Sequence, residues 1–170
     1  TNANKTDYRD TSYKDTKGFW RFYGTSPSWA TTNKTFVIRS YGVQVNPGKN
    51  NWVAYEIDVP KSGEYDITLS HGQASQGCVA DMFVLPGNTS NIDGSLIAEN
   101  SAGKADFYAS SEMLGGKDYR TVQTDIGKYV FETEGKYLVV FKYNSQSPNG
   151  GEKTAIYPGK IILNGGNKVA

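Results

Sequence analysis

Aromatic side chains beside arginine are the first feature of this sequence that could do chemistry. The stretch Gly18–Trp29, GFWRFYGTSPSW, holds five aromatic residues and one arginine. An exposed Trp or Tyr face packs against the C–H groups of a sugar ring, and polar side chains bond its hydroxyl rim. If the segment is extended, Arg21 and Tyr23 share one face while Trp20 and Phe22 share the other. The pattern predicts Trp20 and Phe22 buried, with Arg21 and Tyr23 outside.

Further candidate binding residues follow along the chain. Trp29 comes after a Ser-Pro-Ser turn, and Trp52 heads a strand either as part of a core layer or on an exposed sheet face. The segment 104–120, KADFYASSEMLGGKDYR, sets lysine and arginine beside tyrosine, which suits a uronate or pyruvyl group through charge-assisted hydrogen bonds; the alternative is a solvated polar loop. The candidate ligand-binding residues are Arg21, Tyr23, Trp29, Trp52, Lys104, Tyr108, Lys117, Tyr119 and Arg120.

Signals for catalysis are weak. His71 and Cys78, the sole histidine and cysteine, lie seven residues apart and could pair as base and nucleophile. The simpler interpretation is a strand-end histidine and a small buried cysteine. A glycosidase needs two carboxylates across a cleft, whereas those of the 52–71 hairpin alternate with apolar residues and so face solvent. We therefore predict no catalytic residues.

The metal-binding signals are equally sparse. One cysteine allows neither an internal disulfide nor a zinc site. No EF-hand loop is present, but sandwich proteins also bind structural calcium through scattered carbonyl and carboxylate oxygens. Asp93 and Asp106, both in predicted loops, are the candidates for such an ion, and no cofactor is otherwise required.

The elements that must position these residues are strands. Residues 52–60 and 64–71 each alternate apolar with polar side chains around a Lys61-Ser62-Gly63 turn, as in a β-hairpin. A second hairpin, 129–144, has its turn at Glu134-Gly135. Other predicted strands span 36–45, 78–86, 95–100 and 159–166. Eight or nine such strands predict an all-β, antiparallel, jelly-roll-like sandwich.

Length and loop content suggest one domain over residues 1–170. We expect 1–17 to be an N-terminal loop or linker and 165–170 to be a C-terminal linker stub. The segment 101–125 is longer than a typical loop, which favours a functional role. Because the chain begins at Thr1 and not at Met, we expect an excised module or a processed product.

Composition narrows the partners. Lys+Arg is 18 and Asp+Glu is 17, so no basic excess favours nucleic acid. No apolar run approaches the ~20 residues of a membrane-spanning helix. The 12 tyrosines and 19 glycines are typical of a β-rich extracellular domain. We expect a secreted monomer.

Four segments together resemble a known group of modules. They are WVAYEIDVPKSGEYDITLSHG (52–72), ADMFVLPG (80–87), EGKYLVVFKYN (134–144) and GKIILNGG (159–166). Their order resembles the β-sandwich carbohydrate-binding modules attached to bacterial polysaccharide-degrading enzymes, above all the xanthan-binding type. The resemblance implies a non-catalytic module, with a polysaccharide and the parent's catalytic domain as partners. The acidic opening strand of the calcium-bearing modules is missing, so neither metal ligands nor ligand contacts carry over to positions here.

Two rival functions stay open at this point. A structural or adhesive cell-surface domain would bind protein through a flat apolar patch. A small hydrolase or lyase would need a cleft holding a convergent acid–base pair that includes His71 or Tyr108.

Overall fold

The computed structural model describes residues 52–150, 153–157 and 160–167, with four short strands nearer the N-terminus. The strands are β1 Lys5–Arg9, β2 Trp20–Arg21, β3 Phe36–Arg39, β4 Gly42–Val45, β5 Trp52–Val59, β6 Gly63–Gln73, β7 Val79–Pro86, β8 Ser101–Asp106, β9 Arg120–Phe131, β10 Gly135–Ser145 and β11 Lys160–Asn167. Helix α1 spans Ile92–Ser95, a 3₁₀ turn spans Ala98–Asn100, and helix α2 spans Ser111–Leu114.

The strands form two antiparallel sheets, which confirms the predicted sandwich. The first sheet has the order β1-β11-β6-β9, and the second has the order β2-β5-β10-β7-β8. β3 and β4 pair as a separate hairpin. The two predicted β-hairpins are wrong as strand pairs, because β5 and β10 lie in the second sheet while β6 and β9 lie in the first. The short turns from β5 to β6 and from β9 to β10 therefore cross from one sheet to the other.

The main core lies between the sheets, where the inward side chains of both meet. Alternation produces it: along β6, Tyr65, Ile67 and Leu69 are buried, while Asp66 between them is exposed. Its largest fully buried side chains include Phe107, Phe131, Phe141, Ile57, Ile67, Leu69, Met82, Ile156, Ile161 and Leu163. A second apolar cluster contains Trp52, Ala54, Phe83, Leu85, Leu96, Leu138 and Val140, with Ile92 packed against it.

The connections gather at two ends of the sandwich. We call the end with the connections 74–78, 107–119 and 146–159 the loop end, and the end with 60–62, 87–100 and 132–134 the turn end. The antiparallel pairing places them so, because β6, β8 and β10 finish where β7, β9 and β11 begin. In the described ranges, no helix exceeds four residues, far short of the length needed to cross a bilayer.

Several predicted elements differ from the structure. The segment 95–100 is helical turn, not strand, and 36–45 is two strands, not one. About half of 101–125, predicted as loop, belongs to β8 and β9. Of β9, only the end at 129–131 was predicted as strand. Residues 120–128 were missed because β9 is an edge strand whose outward residues there are polar and whose inward ones are only half-buried. Strands also occupy 5–9 and 165–167, within the predicted terminal linkers.

Candidate functional site at the loop end

Three connections are tied together at the loop end by backbone hydrogen bonds. The Ala74 amide donates to the Phe107 carbonyl at 3.1 Å, and the Ala109 amide donates back to the Ala74 carbonyl at 3.0 Å. The Cys78 amide donates to the Ala155 carbonyl at 3.0 Å, which joins the third connection. Segments distant in sequence therefore share one fixed surface.

Asp106, at the end of β8, organises this surface. Its Oδ1 accepts from the Tyr108 amide at 2.9 Å, and its Oδ2 accepts from the Ser147 hydroxyl at 2.8 Å. Ser147 is fully buried, so this carboxylate satisfies a hydroxyl that has no access to water. The Asp106 carbonyl also accepts from Gln73 Nε2 at 2.9 Å. One residue thus links β6, β8 and the β10–β11 connection.

Gln73 joins Asp106 to a predicted binding residue. Its Oε1 accepts from Arg120 Nε at 2.9 Å, while its amide nitrogen bonds Asp106. Tyr108 lies on the other side of the same strand end, bridged to Ala74. The Tyr108 ring rests on Gly150, where a Cβ atom would come within 2.6 Å of it. The structure therefore places Tyr108 and Arg120, both half-buried, against adjacent residues at the end of β6.

The other described candidates lie at varying distances from this pair. Tyr119 precedes Arg120, is half-buried and packs against the main core. Lys117 is exposed in the same connection, just beyond α2, and its amide donates to the Leu114 carbonyl at 3.1 Å. Lys104 lies inside β8 opposite Asp81, outside the loop-end connections. Tyr108, Lys117, Tyr119 and Arg120 form the candidate site.

Comparison with solved structures places this architecture among known folds. No family model matches the sequence, and no curated protein matches it. A xanthan lyase from Paenibacillus matches with a TM-score of 0.54 and 13% identity, over 75% of this chain and 11% of the lyase. A family 35 carbohydrate-binding module from an environmental isolate matches with a TM-score of 0.50 and 9% identity, over 94% of this chain and 93% of that one.

The fold is that of a β-sandwich carbohydrate-binding module. The resemblance drawn from the four sequence segments is thereby confirmed at the level of fold. This chain spans only about a ninth of the lyase's length, since the match covers 11% of that enzyme.

Three candidates predicted near the N-terminus stay predictions. Tyr23 and Trp29 lie outside the described residues. Arg21 lies in β2, where its backbone pairs with Ala54, and its side chain is outside the described part of the structure.

Trp52 is a core residue of this sandwich fold. It is 4% exposed, within the second apolar cluster, and its indole N–H donates to the carboxylate of Asp93. A side chain buried to this extent offers no face for stacking on a sugar. Of the two alternatives for Trp52, the core position is the observed one, and its assignment as a ligand-binding residue is wrong for this conformation.

The two carboxylates predicted as calcium candidates are both engaged by protein donors. Asp93 accepts from Trp52, and both oxygens of Asp106 accept hydrogen bonds from Tyr108 and Ser147. Across the described ranges, no three His, Cys, Asp or Glu side chains cluster as a metal site would require. A structural calcium therefore remains a prediction without a located site.

His71 is buried and held in one protonation state. It is 1% exposed, and its ring lies 4.6 Å from that of Phe107. Nδ1 is 2.9 Å from the Gly72 carbonyl, which can only accept, so Nδ1 carries the proton. Nε2 of the neutral ring then accepts from the Thr124 hydroxyl at 2.7 Å. Neither nitrogen is available to a substrate in this conformation.

Burial of His71 predicts a loss of stability in mild acid. Desolvation lowers the pKa of the His71 ring, opposed by its bond to Gly72 and the charge of Asp106. The neutral ring's contribution is complete above the unfolded-state pKa of about 6.5 and is lost as the pH falls through the lower folded-state pKa. We expect the urea midpoint to fall between pH 7 and pH 5, and to fall less in His71→Gln. An equal fall in both proteins would contradict the assignment.

Cys78 is equally unsuited to catalysis. It is fully buried, and desolvation, with a further contribution from the charge of Asp106, raises the pKa of its thiol to about 12. The thiol therefore stays protonated at neutral pH, and the thiolate is the nucleophilic form. The His71–Cys78 pair is structural.

Residue types indicated candidate binding side chains at the loop end but not the residues that hold them in place. Tyr108 and Arg120 were predicted from their types, whereas Gln73 was missed and Asp106 was considered only as a metal ligand. Their hydrogen bonds join residues 33, 41 and 47 positions apart. No local periodicity encodes contacts between residues so far apart in sequence, so the pattern of a single strand or loop does not reveal them.

Proposed function

We propose that this chain is a non-catalytic module that binds an anionic polysaccharide at the loop end. The observation that carries the proposal is the bridge through Gln73, which holds the Arg120 guanidinium beside the Asp106–Tyr108 turn. A tyrosine ring supplies a face for the C–H groups of a sugar, and a fixed guanidinium supplies charge for its carboxylate.

The geometry of Arg120 favours a carboxylate ligand. Within the described residues, the guanidinium donates a hydrogen bond through Nε to Gln73, and its two terminal nitrogens remain for a ligand. Paired N–H groups of arginine match the two oxygens of a uronate or pyruvyl carboxylate. Lys117 adds a second, exposed cation in the same connection. The fold likeness to part of a xanthan lyase makes xanthan the first polymer to test.

The biological role follows from this binding. A module of this kind, joined to a secreted polysaccharide-degrading enzyme, raises the local concentration of substrate around the catalytic domain. The burial of His71 and Cys78 supports a non-catalytic role, because the described part of the chain then offers no accessible histidine or thiol.

Affinity gel electrophoresis tests the proposal. The chain is run in gels containing xanthan, pectin, xylan or hydroxyethyl cellulose, with and without a calcium chelator. We expect retardation by the anionic polymers, weakened by salt. Arg120→Gln should reduce the apparent affinity by about tenfold or more, since hydrogen bonds to charged groups contribute roughly 1.5–3 kcal/mol.

Lys128→Gln is the matched control, because Lys128 is an exposed cation farther along the same strand. Lys128→Gln should bind each polymer with the same affinity as the unsubstituted chain. If no polymer retards the chain, the proposal fails for that panel and the protein-binding surface domain becomes the better hypothesis.

A further inference from the structure

A cleft opens at the turn end, between the end of β7 in the second sheet and the end of β9 in the first. β8 pairs with β7 only from Val79 to Phe83, so the last residues of β7 extend beyond it. The end of β9 faces them, and the Tyr129 hydroxyl spans the gap to the Val84 carbonyl at 3.4 Å. The resulting cleft has a volume of about 590 Å³, within the ~300–1,000 Å³ usual for ligand sites.

The floor and wall of this cleft are fixed. Tyr129 and Tyr137 both line it, and each makes an edge contact with Phe131, at centroid distances of 4.9 and 4.8 Å. The Tyr137 hydroxyl donates to the Thr133 carbonyl at 2.7 Å, which anchors that ring. Gly87 forms the wall, where a Cβ atom would come within 2.6 Å of the Lys136 carbonyl oxygen. Rings held in this way lose little entropy on binding.

The rim of the cleft carries polar groups that the fold does not use. Asn88 and Glu132 are exposed, and neither side chain has a hydrogen-bond or ion-pair partner within the described residues. An amide both donates and accepts, and a carboxylate accepts, so together they suit the hydroxyl groups of a sugar. The nearby ammonium of Lys136 lies 3.7 Å from the Asp58 carboxylate. Since the charge of Lys136 is paired with Asp58, the Glu132 carboxylate remains as a negative charge on the rim, and it repels an anionic sugar.

We propose that the turn-end cleft, floored by Tyr129 and Tyr137 and rimmed by Asn88 and Glu132, is a binding site for neutral sugar units. A second groove of about 500 Å³ shares Val130 and Glu132 with the cleft and extends to the β5–β6 turn at 61–63. An oligosaccharide therefore has room on both sides of Val130. The inference does not rest on the loop-end site, whose charge favours a different sugar class.

Nuclear magnetic resonance titration of the ¹⁵N-labelled chain tests this site. The probes are cellohexaose, xylohexaose and mannohexaose, with an oligogalacturonate as the anionic comparison. We expect at least one neutral hexaose to cause saturable shifts of the amides at 87–88 and 129–137. Glu132→Ala should weaken that binding at least fivefold. Glu134→Ala, which removes the same charge from the same turn without lining either groove, should leave it unchanged.

Each outcome is decisive for one of the two sites. Absence of shifts at the turn end with all three neutral probes overturns the inference, as does equal weakening by Glu132→Ala and Glu134→Ala. Shifts that oligogalacturonate causes only in the amides of 73–76 and 107–120 would support the loop-end site. If no neutral hexaose bound in the same experiment, the turn-end inference would be overturned. Shifts caused by a neutral hexaose at the turn end would support the inference. If oligogalacturonate then caused no shifts at the loop end, the loop-end proposal alone would fail.

Discussion

Replacing Phe107 by alanine should destabilise the fold by about 3–5 kcal/mol, the usual range for deleting a buried aromatic ring. Phe107 is fully buried, and its ring packs against those of His71 and Phe141 at centroid distances of 4.6 and 6.2 Å. Its backbone also bonds both ends of the 74–78 connection, donating to the Cys78 carbonyl and accepting from the Ala74 amide. The cavity would therefore form where the loop-end connections are joined to the core. Urea unfolding at neutral pH measures the loss.

Met113→Ala is the control for this substitution. Met113 lies in the same connection but is 38% exposed, so its truncation should change the unfolding free energy by less than about 0.5 kcal/mol. A Phe107→Ala protein as stable as Met113→Ala would mean that the loop end is not packed on the core in the way described.

The loss of Phe107 bears on function because Tyr108 and Arg120 are attached to the same core. Phe107 precedes Tyr108 directly, and its ring contacts His71, which bonds Thr124 in β9. β9 begins at Arg120. Polysaccharide binding should therefore weaken along with stability, whereas an exposed change such as Met113→Ala should affect neither.

How far the sequence could predict this molecule depends on whether the information is local. Strands β5 and β6 were predictable because Ile57, Tyr65 and Ile67 alternate with polar residues around a glycine-containing turn. Their pairing as a hairpin was predicted wrongly, because alternation does not encode a strand's partner and the two strands lie in different sheets. The first part of β9, residues 120–128, was not predictable, because its outward Thr121 and Gln123 and its half-buried inward residues give this edge strand the composition of a loop. The predicted strand 95–100 is replaced at its end by the 3₁₀ turn, where the Asn100 side chain donates to the Ser95 carbonyl at 3.0 Å and its backbone amide donates to the Ile97 carbonyl at 2.9 Å.

The candidate site divides in the same way. Residue types alone pointed to the 104–120 segment, and the structure brings Tyr108 and Arg120 of that segment together. Residue types could not show that Lys104 lies within a strand or that Trp52 is buried, and so could not exclude either from the candidate site. Burial depends on which layer of the fold packs against a side chain. Position relative to that layer is a tertiary property that a single strand's pattern does not contain.

Asp106→Ala should reduce both stability and binding, since its carboxylate joins two of the loop-end connections, at Tyr108 and at Ser147. We expect a loss of roughly 2–3 kcal/mol in the free energy of unfolding, because the buried Ser147 hydroxyl loses its acceptor and the Tyr108 amide loses a charged partner. Polysaccharide affinity should fall as well, because the turn that positions Tyr108 beside Arg120 is no longer fixed. Urea unfolding and affinity electrophoresis measure the two effects on the same protein.

Two further variants separate the hydrogen bonds from the charge. Asp106→Asn keeps an oxygen that can accept from the Tyr108 amide and an amide that can donate to Ser147, so it should recover part of the lost stability and binding. Asp118→Ala removes an exposed carboxylate from the same connection and should change neither. If Asp106→Ala behaved like Asp118→Ala, the loop end would be held by backbone bonds alone, and Tyr108 would owe its position to Gly150 and not to this carboxylate.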